Sequence, residues 1–240
     1  MKKAIYCLSL LLLICACTQQ PQISPNGHMT TKDILIEDSF REIYVDNGII
    51  VSLRHSTEEK IAIIGDSNII PYIKIYTTDQ HLHIEYTEDD FTTEPNLKIY
   101  VDYVELRKIA AEDGSRVEIE NGIDARGENF LLKAEDGSVI DFLYDGIGNC
   151  RLLEVTAESE SEIRLAGQAE EYAVTLGERS AIRDFKFQCR SMRAYVDSSH
   201  LDVICTERFS LTAYNESKVH IQGGGTAENL NISEDSDLTY

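Results

Sequence analysis

From Ile109 to Tyr240, apolar and polar residues alternate in short blocks, and the blocks repeat down the chain. Each block is centred on a serine: Ser115, Ser138, Ser161, Ser180, Ser199, Ser217 and Ser236. Successive serines are 23, 23, 19, 19, 18 and 19 residues apart. The positions two and four residues after each serine, and four and six before it, form four files. Of these 28 positions only Asp184 and Arg193 are not apolar. The residues three after each serine are Glu118, Asp141, Arg164, Arg183, Asp202, His220 and Thr239, all polar. Strict alternation marks strands with one buried face, and no helical period competes with it. A fixed period of about twenty residues marks a stack of equivalent coils.

Each unit therefore reads as strand, corner, strand, with the corner at the serine. Asp113-Gly114-Ser115 and Asp136-Gly137-Ser138 state the corner most clearly, because Asp caps nearby amides and Gly tolerates positive φ. A small hydroxyl there can bond backbone groups where the ladder bends. The repetition argues against a nucleophile, since no histidine or acid recurs at a fixed offset from the serines. Two residues before each serine stand Asp113, Asp136, Ser159, Glu178, Asp197, Asn215 and Glu234. Carboxylates about 4.8 Å apart on neighbouring coils repel by about 0.9 kcal/mol in water, and by about 3.5 kcal/mol at an effective dielectric of 20. The file should accordingly be solvent-exposed, with Ser159 and Asn215 relieving it. Asp113/Asp136 and Glu178/Asp197 are the places where a weak cation site would form.

The stretch from Ile34 to Tyr103 is strand-rich but less regular. Asp46-Asn47-Gly48 is a tight-turn signal between Ile43-Tyr44-Val45 and Ile49-Ile50-Val51. Further strands are expected at Ile61–Ile64, Ile73–Tyr76, Leu82–Tyr86 and Leu97–Val101. Terminal units of a stack are commonly atypical, so this region is expected to supply capping coils of the same body. His81 and His83 share one strand face, which fits an exposed polar face better than a metal pair lacking a third ligand.

Ahead of the domain, Lys2 and Lys3 precede an apolar run from Leu8 to Ile14, too short to span a bilayer. Ile14-Cys15-Ala16-Cys17 follows and resembles a bacterial lipoprotein signal. On that resemblance residues 1–16 are removed and Cys17 carries the lipid. Residues 17–32 are polar, contain Pro21, Pro25 and Gly27, and read as a tether. Residues 33–240 form one domain, regular from 104 onward. Net charge is −20, and loss of Lys2 and Lys3 leaves 20 cationic against 42 anionic side chains. This balance disfavours nucleic acid and anionic membrane surfaces as partners. Cys150, Cys189 and Cys205 are an odd number, which argues against a disulfide framework. Cys150 and Cys189 lie two coils apart, about 10 Å, too far for a bond, so buried thiols are expected.

The series Phe40-x-x-Ile43-x-Val45-x-Asn47-Gly48-Ile49-x-Val51, then Gly65-Asp66-x-Asn68, then serine-centred corners is similar to the auto-transporter adhesin, head-GIN domain family of Bacteroides-type bacteria. The likeness runs from Phe40 to Tyr240. It implies an all-β fold, a right-handed parallel β-helix of short two-sheet coils, and a role in adhesion with no catalytic residues. The family's corners are often glycine-rich, whereas Ser159-Glu160-Ser161 and Asn215-Glu216-Ser217 lack glycine. The expected protein is a non-enzymatic envelope lipoprotein, held on the outer membrane through Cys17, that binds an unidentified protein or glycan. No residue is assigned a catalytic, cofactor or metal-binding role. Two other functions fit the same architecture. A polysaccharide lyase or glycoside hydrolase needs local asymmetry, and the repeat-breaking Asp184 and Arg193, with neighbouring Arg183, are where it would lie. A structural or sensing protein would self-associate through its final coil, unless the N-terminal segment covers that coil.

Overall fold

The structure, a computed structural model, describes residues 23–87, 91–93, 95–183 and 185–240. The leader, Cys17 and Asp184 lie outside the described residues. The N-terminal part contains β1 (Met29–Ile34), β2 (Glu42–Val45), β3 (Ile50–His55), β4 (Lys60–Asp66), β5 (Ile73–Thr78), β6 (His81–Tyr86) and β7 (Leu97–Tyr103). Then come β8 (Lys108–Ala111), β9 (Arg116–Ile119), β10 (Ile123–Asp124), β11 (Asn129–Ala134), β12 (Val139–Phe142), β13 (Ile147–Ala157) and β14 (Glu162–Arg164). The chain closes with β15 (Gly167–Leu176), β16 (Ala181–Ile182), β17 (Phe187–Asp197), β18 (His200–Tyr214), β19 (Lys218–Gln222), β20 (Thr226–Ile232) and β21 (Asp237–Thr239).

These strands build a parallel β-solenoid of about seven turns. One face runs β6-β2-β8-β11-β13-β15-β17-β18-β20, parallel throughout. The other runs β7-β3-β9-β12-β14-β16-β18-β19-β21, also parallel. A short third side joins them, where β10 and the first residues of β13, β15 and β17 stack. The coil is thus two main sheets and a narrow side rather than two sheets alone. The apolar files face one interior: Leu132, Val155, Val174 and Leu211 from the first face meet Val117, Ile140, Ile163 and Leu201 from the second, all buried. Burying each such side chain contributes about 1.5–3 kcal/mol.

The serine corners are tight turns that stack. Ser115 N–H donates to Glu112 O at 3.1 Å and Ser138 N–H to Glu135 O at 3.2 Å. Both central residues are left-handed, with φ 50 and 73° at Asp113-Gly114 and 53 and 75° at Asp136-Gly137. This is the primed turn, for which Asp-Gly is a preferred sequence. Glu160, Arg179 and Glu216 occupy the glycine position with φ of 65, 68 and 61°. The fold therefore survives loss of those glycines, at a cost of about 1–2 kcal/mol per residue. The ladder also continues through the turns: Gly114 N–H bonds Asp136 O and Gly137 N–H bonds Ser159 O, each at 2.8 Å.

The serine hydroxyls point inward, and Ser115, Ser138, Ser161, Ser180, Ser199 and Ser217 are buried. Backbone bonding by these hydroxyls holds only toward the C-terminus. Ser199 Oγ donates to Asp197 O at 2.7 Å, Ser217 Oγ to Val196 O at 3.0 Å, and Ser236 Oγ accepts from Ser217 N–H at 3.1 Å. Among the described residues, the hydroxyls of Ser115, Ser138, Ser161 and Ser180 have no partner. A buried, unpaired hydroxyl costs about 1–3 kcal/mol of desolvation. Ser138→Ala should therefore stabilise the protein by about 1 kcal/mol, whereas Ser217→Ala should destabilise it by a similar amount. Paired urea denaturation curves check both; two destabilised variants would mean that the first four hydroxyls are bonded too.

Several expectations are corrected. Arg193 and Tyr195 do not belong to the inward files. The corner at Ser199 is one residue shorter than its predecessor, so Ala194 aligns with Val174 and Val196 with Leu176. Arg193 and Tyr195 then face outward, and Tyr195 is 44% exposed. The tight turn at Asn47-Gly48 is present, with φ of 61 and 72°, and joins β2 and β3 on different faces, where they pair with β8 and β9. That turn is the first regular corner, well before residue 104, with Ile49 in the place of the serine. Stacking order also departs from chain order. The β6–β7 coil follows β2–β3 in sequence yet sits outside it. Antiparallel β5 and β4 extend it, with β1 on β4. β1 lies partly in the expected tether, as does Asn26, whose N–H bonds Asn68 Oδ1 at 3.1 Å. Because β1 sits at the opposite end, the described N-terminal residues do not cover the final coil.

Candidate functional site

Equivalent coils give a repetitive surface, and a feature of distinct shape arises where the stack is interrupted. The narrow third side is such a place. β13 and β18 both bulge there, between Ile147 and Cys150 and between Cys205 and Arg208. Gly146 and Gly167 let the coils approach closely at the same edge: a Cβ on Gly167 would lie 2.1 Å from Ile147 O. The result is an open groove of about 870 Å³ along the stack axis. Its floor contains Cys150, Ala169 and Cys189, and its walls carry Asp124, Arg126, Asn149, Arg151, Gln168, Glu170, Gln188 and Arg190.

The wall residues come in rows. Gln168 and Gln188 are register partners on adjacent coils. Arg151, Gln188 and Arg190 are exposed. Asp124 Oδ1 accepts from Asn149 Nδ2 and from Arg126 N–H, both at 3.0 Å. These bonds, led by the Asn149 amide, hold the Asp124 carboxyl below its usual range. Arg126 in turn reaches Glu105 at 3.3 Å. Amides spaced about 4.8 Å apart and guanidinium forks suit an extended ligand rich in hydroxyl, carbonyl or carboxylate groups. A glycosidase instead requires a carboxylic acid with a raised pKa beside a second carboxylate. Asp124 is shifted the other way.

The sequence-derived candidates fall elsewhere. Arg183 follows β16 on one face and Arg193 lies on β17 in the other, so the structure does not assemble them into a site. Asp184 lies outside the described residues. Asp113, Asp136 and Glu178 are exposed. Ser159 Oγ donates to Glu178 at 2.8 Å and Asn215 Nδ2 to Asp197 at 2.6 Å, which relieves the acidic file. All three described cysteines are free and buried, and burial pushes the Cys150 thiol up to about 11. Cys189 and Cys205 are register partners, a juxtaposition that serine spacing alone does not show.

His81 and His83 take part in an aromatic ladder across β5, β6 and β2. His83 stacks between Tyr76 and Tyr44, with centroids 4.8 and 5.0 Å away. His81 lies 3.4 Å from Glu42. Burial, then the neighbouring His81, lowers the His83 pKa. A histidine with a folded pKa below its unfolded value loses stability as pH falls through the unfolded value, about 6.5. His83→Phe should therefore flatten the decline in stability between about pH 6.5 and 5. Thermal melts at pH 7.5 and 5.0 check this, and an unchanged pH dependence would show that His83 does not contribute.

The family profile described as "Putative auto-transporter adhesin, head GIN domain" matches residues 39–237, and the chain belongs to that family. No curated protein matches the chain. Among solved structures, a putative adhesin from Bacteroides fragilis is 18% identical, with a TM-score of 0.80 over 90% of this chain and 98% of that one. A putative adhesin from Parabacteroides merdae is 16% identical, with a TM-score of 0.71 over 90% and 98%. A protein from Parabacteroides distasonis described as a putative lipid binding protein is 15% identical, with a TM-score of 0.68 over 91% and 98%. At these identities the likeness establishes the shared fold.

Proposed function

We propose that the protein is a non-enzymatic adhesin of the bacterial cell envelope, tethered through a lipidated Cys17, and that the polar groove on its third side contacts the ligand. The observation that carries the reading is the groove itself. It interrupts an otherwise repetitive surface and offers amides and arginines beside Asp124 and Glu170. Membership of the adhesin family and the Ile14-Cys15-Ala16-Cys17 motif support the envelope location. Among the described residues no helix is long and apolar enough to cross a membrane. The favoured ligand is an extended glycan, whose hydroxyl and carbonyl groups the stacked Gln168 and Gln188 amides and the exposed arginines can bond.

The test is binding to an array of acidic and neutral glycans by the wild type and by Arg151→Ala/Arg190→Ala. Glycan binding, weakened about tenfold or more in the variant, is expected from loss of charge-assisted bonds worth about 1.5–3 kcal/mol each. Unchanged binding by the variant would move the site elsewhere. New reducing or unsaturated ends on incubated polysaccharides would instead support the lyase or hydrolase reading. Cys17→Ala should release the protein from the membrane fraction.

One further feature supports self-association. β20 and β21 pair on one side only among the described residues, and Leu230 of the first apolar file is 42% exposed there. An open edge with an exposed core file favours a second copy. Light scattering should show concentration-dependent association that Leu230→Lys abolishes; a strict monomer at all concentrations would contradict it.

A further inference from the structure

We propose that His200, Asp202 and His220 form a transition-metal site, with zinc the best-matched ion, that clasps two neighbouring coils near the C-terminal end of the stack. His200 and Asp202 stand two apart on β18 and so share its outer face. The register places His220 of β19 directly opposite Asp202. His200 Nε2 and His220 Nδ1 each lie 2.8 Å from the same oxygen, Asp202 Oδ1. The three ligating atoms all fall within 4.8 Å of one another. Among the described residues no other three histidine, cysteine or carboxylate side chains converge in this way.

The geometry suits the chemistry. Tetrahedral zinc binds nitrogen and oxygen at about 2.0–2.2 Å, which sets neighbouring ligand atoms roughly 3.4 Å apart. To admit the ion, Asp202 Oδ1 withdraws from each imidazole by about 0.6 Å, and the two imidazole nitrogens, within 4.8 Å of each other, settle toward the same spacing. Two imidazoles and a carboxylate are borderline ligands that suit zinc, and also copper or nickel, better than calcium or magnesium. The three side chains are 23, 13 and 40% exposed, so the ion can enter from solvent and keep a water at its fourth position. Lys218 is the register partner of His200 and lowers the local affinity by repulsion, while the net charge of −20 draws cations toward the molecule. Arg183 follows Ile182, the register partner of Leu201, and so flanks Asp202 from the preceding coil as a second cation; the titration is set against a dissociation constant on the order of micromolar.

The site is separate from the groove, so its role is to lock the last coils. An ion shared by β18 and β19 stabilises the folded stack by mass action. The experiment is titration of the full chain, stripped with chelator and held in detergent, with zinc chloride. Calorimetry should show one zinc bound per chain. The melting temperature should rise by about 5 °C at a hundredfold excess over the dissociation constant. His200→Ala and His220→Ala should each weaken binding at least tenfold, with His220→Asn as a second variant should the alanine change impair folding. His81→Ala/His83→Ala should bind zinc like the wild type. Absence of binding and of thermal shift at 100-fold the expected constant would overturn the proposal, as would undiminished binding in His200→Ala/His220→Ala.

Discussion

Gly167→Ala should destabilise the protein by about 3 kcal/mol or more, while Gly114→Ala should cost only about 1 kcal/mol. Both glycines have positive φ, 104° at Gly167 and 73° at Gly114, so backbone conformation alone does not separate them. Surroundings do. A Cβ at Gly114 would meet nothing within 4 Å, because the Asp113-Gly114 tip of the corner faces solvent. At Gly167 it would lie 2.1 Å from Ile147 O and 2.4 Å from Ile147 N. Those atoms belong to the backbone of the neighbouring coil and cannot swing aside. Ile147 N–H bonds Ala166 O at 2.9 Å and Gly167 N–H bonds Lys186 O at 3.0 Å, so separating the coils also breaks the ladder. Urea denaturation of the two variants checks the difference. Equal losses would mean that the third side is looser than its close approach implies.

Phe187→Ala should be similarly severe, at about 3–5 kcal/mol. Phe187 is 1% exposed and packs against the Tyr172 ring, 4.8 Å between centroids. Tyr172 belongs to a file of large residues, Phe130, Leu153, Tyr172, Met192 and Phe209, in register from coil to coil. Removing Phe187 opens a cavity beside the middle of that file. Stability in a stack is a sum of coil and interface contributions, so a mid-stack cavity also weakens coupling between its two ends. The unfolding transition should therefore broaden as well as shift. Tyr172→Phe supplies the contrast: its hydroxyl is buried and has no hydrogen-bond partner among the described residues. Losing that group should be neutral or stabilising by about 1 kcal/mol. Calorimetric melts of the three proteins check both effects, and a narrow transition in Phe187→Ala at the wild-type temperature would contradict the packing argument.

The stacked coils were legible in the sequence because each serine carries the same apolar neighbours, and strand alternation fixes which side chains face inward. What alternation leaves open is the partner of each strand. Asn47-Gly48 was readable as a turn, but Ile49 in the serine position hid its membership of the repeat. The β6–β7 coil can lie outside β2–β3 without any change of pattern, since an apolar strand serves either neighbour. Arg193 breaks its file, and Tyr195 falls into one, only when Ser199 is the anchor. One residue fewer in that corner restores Ala194 and Val196 to the interior. The groove was not legible, because it arises from bulges and from backbone approach at Gly167. The histidine cluster left a usable signal: Asp202 and His220 stand in one polar file, and His200 lies two residues before Asp202. Reading down the files as well as along the chain would have found it.

The distance between spin labels on successive corners tests the stack most directly. Single cysteines for nitroxide attachment at Asp113 and Asn215, and at Asp113 and Glu234, in a background lacking the native cysteines, span five and six coils. Pulsed electron paramagnetic resonance should give separations of about 24 and 29 Å, one strand spacing apart, broadened by the label tethers. Equal separations, or a shorter one for the pair farther apart in sequence, would contradict coils piled in register.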